Sequence, residues 1–183
     1  MMVVALSDES QRFLLDLARE SIARKLAGDD IPSRAPSDPG VCTRCGAFVT
    51  LKDAGMLRGC IGRLESPQPL WETVAEMAQA AAFDDPRFPA VTRDELDGLS
   101  IEISVLTPFE RLEDPRSVVV GEHGLLVERG FRRGVLLPQV AVEQGWTREE
   151  FLAYVCRKAS LPPDAWKDPG TALYVFSALV ITE

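Results

Sequence analysis

The chain has 183 residues and a mass of 20.1 kDa, enough to bury roughly 70% of its unfolded surface without a disulfide or metal. Apolar residues make up 46% and charged residues 26%, which excludes disordered and collagen-like chains, and no apolar run nears the ~20 residues that span a bilayer. With 28 acids against 20 bases the net charge is −8, a balance that repels phosphate backbones and opposes general nucleic-acid binding.

The start, MMVVALSDES, lacks a basic n-region and a long apolar h-region, so no signal peptide is expected and the protein is placed in the cytoplasm. Cys42, Cys45, Cys60 and Cys156 are then expected as reduced thiols. A helix is predicted over 7–27, with Ser7 as N-cap, a stripe of Leu14, Ala18, Ile22 and Leu26, and Gly28 as its stop. The acidic, proline-rich stretch 29–40 reads as an extended connection or flap. Strands follow at 47–51 and 56–64 around the turn Lys52-Asp53-Ala54-Gly55, then a helix starting near Pro67 and Pro69 with Leu70, Val74, Met77, Ala78 and Ala81 buried. Thr92 with Glu95 forms a capping box, and Ile101, Ile103 and Val105 alternate with polar residues as in a half-buried strand. Short strands are predicted at 118–120, 125–128 and 134–137, and a second capping box, Thr147 with Glu150, opens a helix carrying Phe151, Val155 and Ala159. Residues 172–181 are apolar on both faces and read as one central strand. Hairpins and helices intermix without strand–helix alternation, which predicts an α+β fold with mixed, mostly antiparallel sheets. The hairpin-then-helix order occurs twice, at 47–82 and 117–159, and suggests two unequal lobes of one unit, about 41–98 and 99–183.

The chemistry concentrates in Leu57-Arg58-Gly59-Cys60-Ile61-Gly62. Glycine in a strand marks a bulge or a close backbone approach, and here Gly59 and Gly62 surround a cysteine and are expected to leave room for a ligand. In a regular strand Arg58 and Cys60 share a face, with Leu57 and Ile61 turned to the core. A guanidinium beside a thiol favours the thiolate, the nucleophilic form; an inert core cysteine is the commoner arrangement. His123, the one histidine, is the natural general base for such a nucleophile, although Gly121-Glu122-His123-Gly124 is also ordinary turn chemistry. Cys42-Thr43-Arg44-Cys45 precedes a strand-like segment instead of a helix, so it lacks thioredoxin-type support, and no second ligand pair completes a zinc site; no metal or cofactor is expected. Asp84, Asp85 and Arg87 could hold a substrate, but Asp85-Pro86 reads first as a turn anchored by Phe83 and Phe88. Arg129, Arg132 and Arg133 around Phe131 resemble a small RNA patch of only weak affinity, or a solvated hairpin.

The strings LRGCIG (57–62), PLWETVAEMAQAAAFDDPRFP (69–89), IEISVLTP (101–108) and GEHGLLVERGFRRGVLLPQVA (121–141) together closely resemble the AMMECR-one domain, called protein A of the AmmeMemoRadiSam system in bacteria and archaea. The resemblance covers residues 8 to 183. It implies an α+β fold in two unequal lobes with the LRGCIG strand bordering a cleft, and association with Memo-type and radical-SAM proteins. Arg58, Gly59, Cys60, Gly62, Asp85, Pro86, Arg87 and His123 match its pattern, whereas Cys42 and Cys45 do not. The resulting expectation is a site with Cys60 as reactive thiol, Arg58 as its electrostatic partner and His123 as base. Gly59, Gly62, Asp85 and Arg87 would contact a small molecule or modified nucleotide. A non-enzymatic interaction module and a weak RNA binder are the alternatives.

Overall fold

A computed structural model of the chain describes residues 6–31, 36 and 38–183. Its elements run α1 (Asp8–Ala27), β1 (Ala47–Asp53), β2 (Met56–Arg63), α2 (Leu70–Phe83), α3 (Arg93–Leu96), β3 (Leu99–Leu106), β4 (Glu110–Arg111), β5 (Gly124–Arg129), β6 (Arg132–Leu136), α4 (Pro138–Glu143), α5 (Arg148–Lys158), β7 (Ala172–Phe176) and β8 (Ala178–Thr182). The helix boundaries follow their chemistry. The Ser7 side chain accepts from the Ser10 amide, and Gly28 ends α1 at φ 83°, a left-handed position that suits glycine. Both predicted capping boxes form, at Thr92/Glu95 and Thr147/Glu150. The flap expected over 29–40 lies partly outside the described residues; Pro39–Cys42, its end, is a 3-10 turn.

The chain divides into two units, the first running to Leu106 and regaining Leu179–Glu183, the second spanning Thr107–Ala178. The division falls after β3 because β3 pairs with β1 along its whole length. In the first unit an antiparallel hairpin heads a four-stranded sheet of order β2-β1-β3-β8. Val49, Leu51, Ile101 and Ile103 line one face and are buried against Leu14, Ile22, Val74 and Ala78 of α1 and α2. Each such Leu or Ile contributes about 1.5–3 kcal/mol of burial. The amide of Gln79 donates to the Ser21 carbonyl at 3.0 Å and ties the two helices together. The second unit has a sheet of order β4-β7-β5-β6, with Phe151, Leu152, Val155 and Cys156 of α5 buried in its core.

Two expectations change, and one helix is added. The apolar stretch 172–181 is two strands in different sheets, broken at Ser177, whose amide donates to the Thr107 hydroxyl at 2.8 Å. Each short strand buries its own residues, so the run is apolar on both faces without being one central strand. Residues 118–120 form no strand: the amides of Glu122 and His123 both donate back to the Val119 carbonyl and close a turn there. Finally, Pro138 occupies the first turn of α4, a helix whose short apolar stretch gives no helical period to read.

Candidate functional site

Residues Ala54 and Gly55 connect β1 to β2 with φ of 47° and 81°, the left-handed pair of a type I′ hairpin turn. From that turn the ladder runs Asp53 to Met56 and Lys52 to Leu57, but then Leu51 to Gly59. Arg58 is therefore the extra residue of a β-bulge. The bulge reverses the side-chain phase. Gly59 and Ile61 lie on the helix-covered face with Leu51 and Val49, while Leu57 and Cys60 lie on the other face with Lys52 and Thr50. Ile61 packs on the core as expected, whereas Leu57 is exposed.

Arg58 directs its hydrogen bonds elsewhere than to the thiol. Its Nε and Nη2 lie 3.0 and 3.3 Å from the Glu95 carboxylate, its Nη1 donates to the Pro89 carbonyl at 3.0 Å, and its side chain is 11% exposed. Glu95 also accepts from the Thr92 amide and hydroxyl at 2.8 and 2.9 Å. Arg58 first, then Thr92, pull its carboxyl down to about 2 from the ordinary 4.5. The glycines are also accounted for by packing. A Cβ on Gly59 would sit 2.2 Å from the Ala81 carbonyl oxygen of α2, and one on Gly62 would sit 2.3 Å from the Phe48 ring. The room expected there for a ligand is filled by the protein itself.

Cys60 is held from three sides. Its amide donates to Asp85 Oδ2 at 2.9 Å, its carbonyl accepts from Arg87 Nη2 at 3.2 Å, and its Sγ accepts from the Thr50 hydroxyl at 3.2 Å. Because β2 is the outer strand of its sheet, the outward backbone groups of Cys60 would otherwise be open to another chain. Asp85 and Arg87 take the place of a neighbouring strand. The Asp85 side chain is 2% exposed and also accepts from Arg87 Nε and Nη2, at 2.9 and 2.7 Å. That arginine above all, then the Cys60 and Arg87 amides, holds its carboxyl well below the ordinary carboxylate range against the opposing effect of burial. Cys60 itself is half-buried, and Thr50 beside it pairs in turn with Glu102, which binds Lys52 at 2.8 Å. A half-buried, fixed thiol with a hydroxyl and an ion pair near it thus lies on the face of this sheet opposite α1 and α2.

His123 belongs to the second unit, in the turn before β5, where its Nδ1 accepts from the Val119 amide at 3.2 Å. The Nδ1 lone pair is thus engaged by the backbone. Cys42 is exposed and Cys45 half-buried, its thiol pushed up to about 11 by burial. Among the described residues no group of three or more His, Cys, Asp or Glu is placed to hold a metal. Around Phe131, which is 96% exposed, each arginine has an internal partner: Arg129 binds Asp168 at 2.8 Å, Arg132 donates to the Ser160 carbonyl at 2.7 Å, and Arg133 binds Glu128 at 2.9 Å. No helix among the described residues is long and apolar enough to cross a membrane. Thr50, Glu95 and the backbone role of Arg87 were not apparent in the sequence. The Thr92/Glu95 box was legible, but a second partner for its carboxylate was not.

The family model described as AMMECR1 matches residues 15–181. A protein of Methanothermobacter thermautotrophicus is 48% identical over 186 residues, covering 97% of this chain and 96% of that protein. Protein PH0010 of Pyrococcus horikoshii is 45% identical over 193 residues, covering 100% of this chain and 94% of its own. The crystal structure of that uncharacterized protein superposes with a TM-score of 0.89 at 45% identity, over 96% of this chain and 92% of the other.

Proposed function

This chain belongs to the AMMECR1 family, and from that premise we propose that it presents the Cys60 thiol to a small molecule or modified nucleotide bound on the face of β2 opposite α1 and α2. The observation that carries this reading is the three-sided restraint of Cys60 by Asp85, Arg87 and Thr50 while the residue stays half-exposed. Free cysteines that serve only packing are among the most buried residues. Here Asp85 and Arg87 fix the backbone, Thr50 fixes the sulfur, and the Lys52–Glu102 pair supplies charge of both signs nearby. In this reading the protein works in the cytoplasm alongside Memo-type and radical-SAM partners. The cytoplasm would keep its cysteines, none of them in a disulfide, reduced.

Limiting iodoacetamide on the native protein, with each cysteine followed by mass spectrometry, tests the reading. Cys60 is expected to react well ahead of Cys45 and Cys156. A Cys60 as protected as the fully buried Cys156 would overturn it. A second reading, a non-enzymatic partner-binding module, is favoured by one observation: Phe131 stands 96% exposed on the tip between β5 and β6. Capture of the purified partners that survives Cys60→Ser but is lost in Phe131→Ser would select it.

A further inference from the structure

A guanidinium offers five N–H donors in a rigid plane, and a free arginine side chain loses rotamer entropy when it is held to one geometry. In Arg87 that cost is already met. Nε and Nη2 are tied to the buried Asp85 carboxylate at 2.9 and 2.7 Å, Nη2 also reaches the Cys60 carbonyl at 3.2 Å, and the Phe88 ring centroid lies 5.5 Å from Cζ. Nη1 makes no hydrogen bond to any described residue, and the side chain is 54% exposed. Arg58 is different: all three of its nitrogens are engaged and it is 11% exposed. Arg87 thus presents one unengaged nitrogen, Nη1, of a fixed guanidinium that is bonded to the very residue that carries the thiol.

We infer that the ligand of the Cys60 face is an anion whose carboxylate or phosphate group is received by the Nη1 edge of Arg87; the inference rests on the reading of Cys60 given above. The charged N–H donors of a preorganised Nη1 suit an oxygen atom of either group. Asp85 balances the formal charge of Arg87, so the attraction is short-ranged and directional. That matters on a chain of net charge −8, which repels anions everywhere that no such donor is fixed.

Iodoacetate and iodoacetamide carry the same leaving group and differ in the carboxylate, so the ratio of their alkylation rates at one cysteine reads anion recruitment and cancels general thiol exposure. In the native protein this ratio at Cys60 is expected to exceed that at the exposed Cys42 by about fivefold, the upper range for an exposed charge pair. Arg87→Gln should bring it down to the Cys42 value, and Arg87→Lys, which keeps the charge but loses the fork, should restore only part. Circular dichroism confirms that each variant is folded. Slowing of the iodoacetamide reaction at Cys60 by inorganic phosphate, at ionic strength matched with chloride, assigns a phosphate ligand; slowing by acetate alone assigns a carboxylate. Equal ratios at Cys60 and Cys42, or a raised Cys60 ratio untouched by Arg87→Gln, would overturn the anion inference while leaving the thiol reading intact. Failure of both reagents at Cys60 would instead overturn the thiol reading, and the anion inference with it.

Discussion

Replacing Gly59 by alanine probes the joint between the β2 edge and α2. The added Cβ would lie 2.2 Å from the Ala81 carbonyl oxygen, whereas such carbon–oxygen contacts settle near ~3.3 Å. The helix must therefore retreat by about 1 Å, and no rotamer can relieve the clash because both groups belong to the backbone. Overpacking costs about 1–3 kcal/mol in general, and the absence of a yielding side chain puts this case near ~3 kcal/mol, or roughly 6–12 °C in Tm for a chain of this size. Retreat of α2 should also draw Asp85, two residues beyond the end of the helix, away from the Cys60 amide it accepts from at 2.9 Å. Hydrogen exchange at Cys60 should then quicken. Gly98→Ala is the control, since its Cβ would meet only the Glu95 carbonyl at an ordinary 3.5 Å. Urea denaturation of both variants, with amide exchange of Gly59→Ala, tests the argument. Stability of Gly59→Ala within about 0.5 kcal/mol of the parent, with Cys60 exchange unchanged, would refute it.

Asp85→Ala should cost about 2 kcal/mol, because it leaves the Cys60 amide without its acceptor and frees Arg87. Asp85→Asn, which retains an acceptor, should cost about half as much in the same denaturation assay; equal losses would contradict the role given to that amide bond. Glu95 has a folded-state pKa of about 2 against the ordinary 4.5, so its contribution is fully present above pH ~4.5 and disappears as pH falls towards 2. Thermal melts over that range should fall more steeply for the parent than for Glu95→Gln, and parallel curves would count against the Arg58–Glu95 pair. Ala54 adopts φ 47° in the hairpin turn, a conformation that costs an ordinary L-residue about 1–2 kcal/mol. Ala54→Asn, which places Asn-Gly in a type I′ turn, should raise the melting temperature by ~2–4 °C, read by differential scanning calorimetry.

Much of the local structure was legible because its causes are local. Ser7, Gly28 and the two Ser/Thr-type caps lie within a turn of the helices they bound, and the alternation of Ile101, Ile103 and Val105 names the buried face of β3 directly. The site was legible as a place, since glycines on both sides of Cys60 require a reason, but not as a set of partners. Register counted from the Ala54-Gly55 turn sets Cys60 opposite Val49; the bulged Arg58 moves it opposite Thr50 and brings Ile61 opposite Val49 on the core face. A bulge leaves no mark in composition. The same extra residue gives Arg58 to Glu95, 37 positions away, and leaves the Cys60 backbone to Asp85 and Arg87. Partners supplied by a loop folding back on a sheet edge have no sequence spacing from which to read them. The division of 172–181 between two sheets is hidden for a similar reason: Ser177 breaks the run, but only the pairing partners show that the two halves part.

Use of the Cys60 thiol is the centre of the proposed function. Its most direct test is metabolite profiling of a strain lacking the gene, complemented with the native protein or with Cys60→Ser at matched abundance. The serine variant is expected to leave the profile of the deletion strain unchanged while the native protein restores the parental one. Full restoration by Cys60→Ser would contradict it.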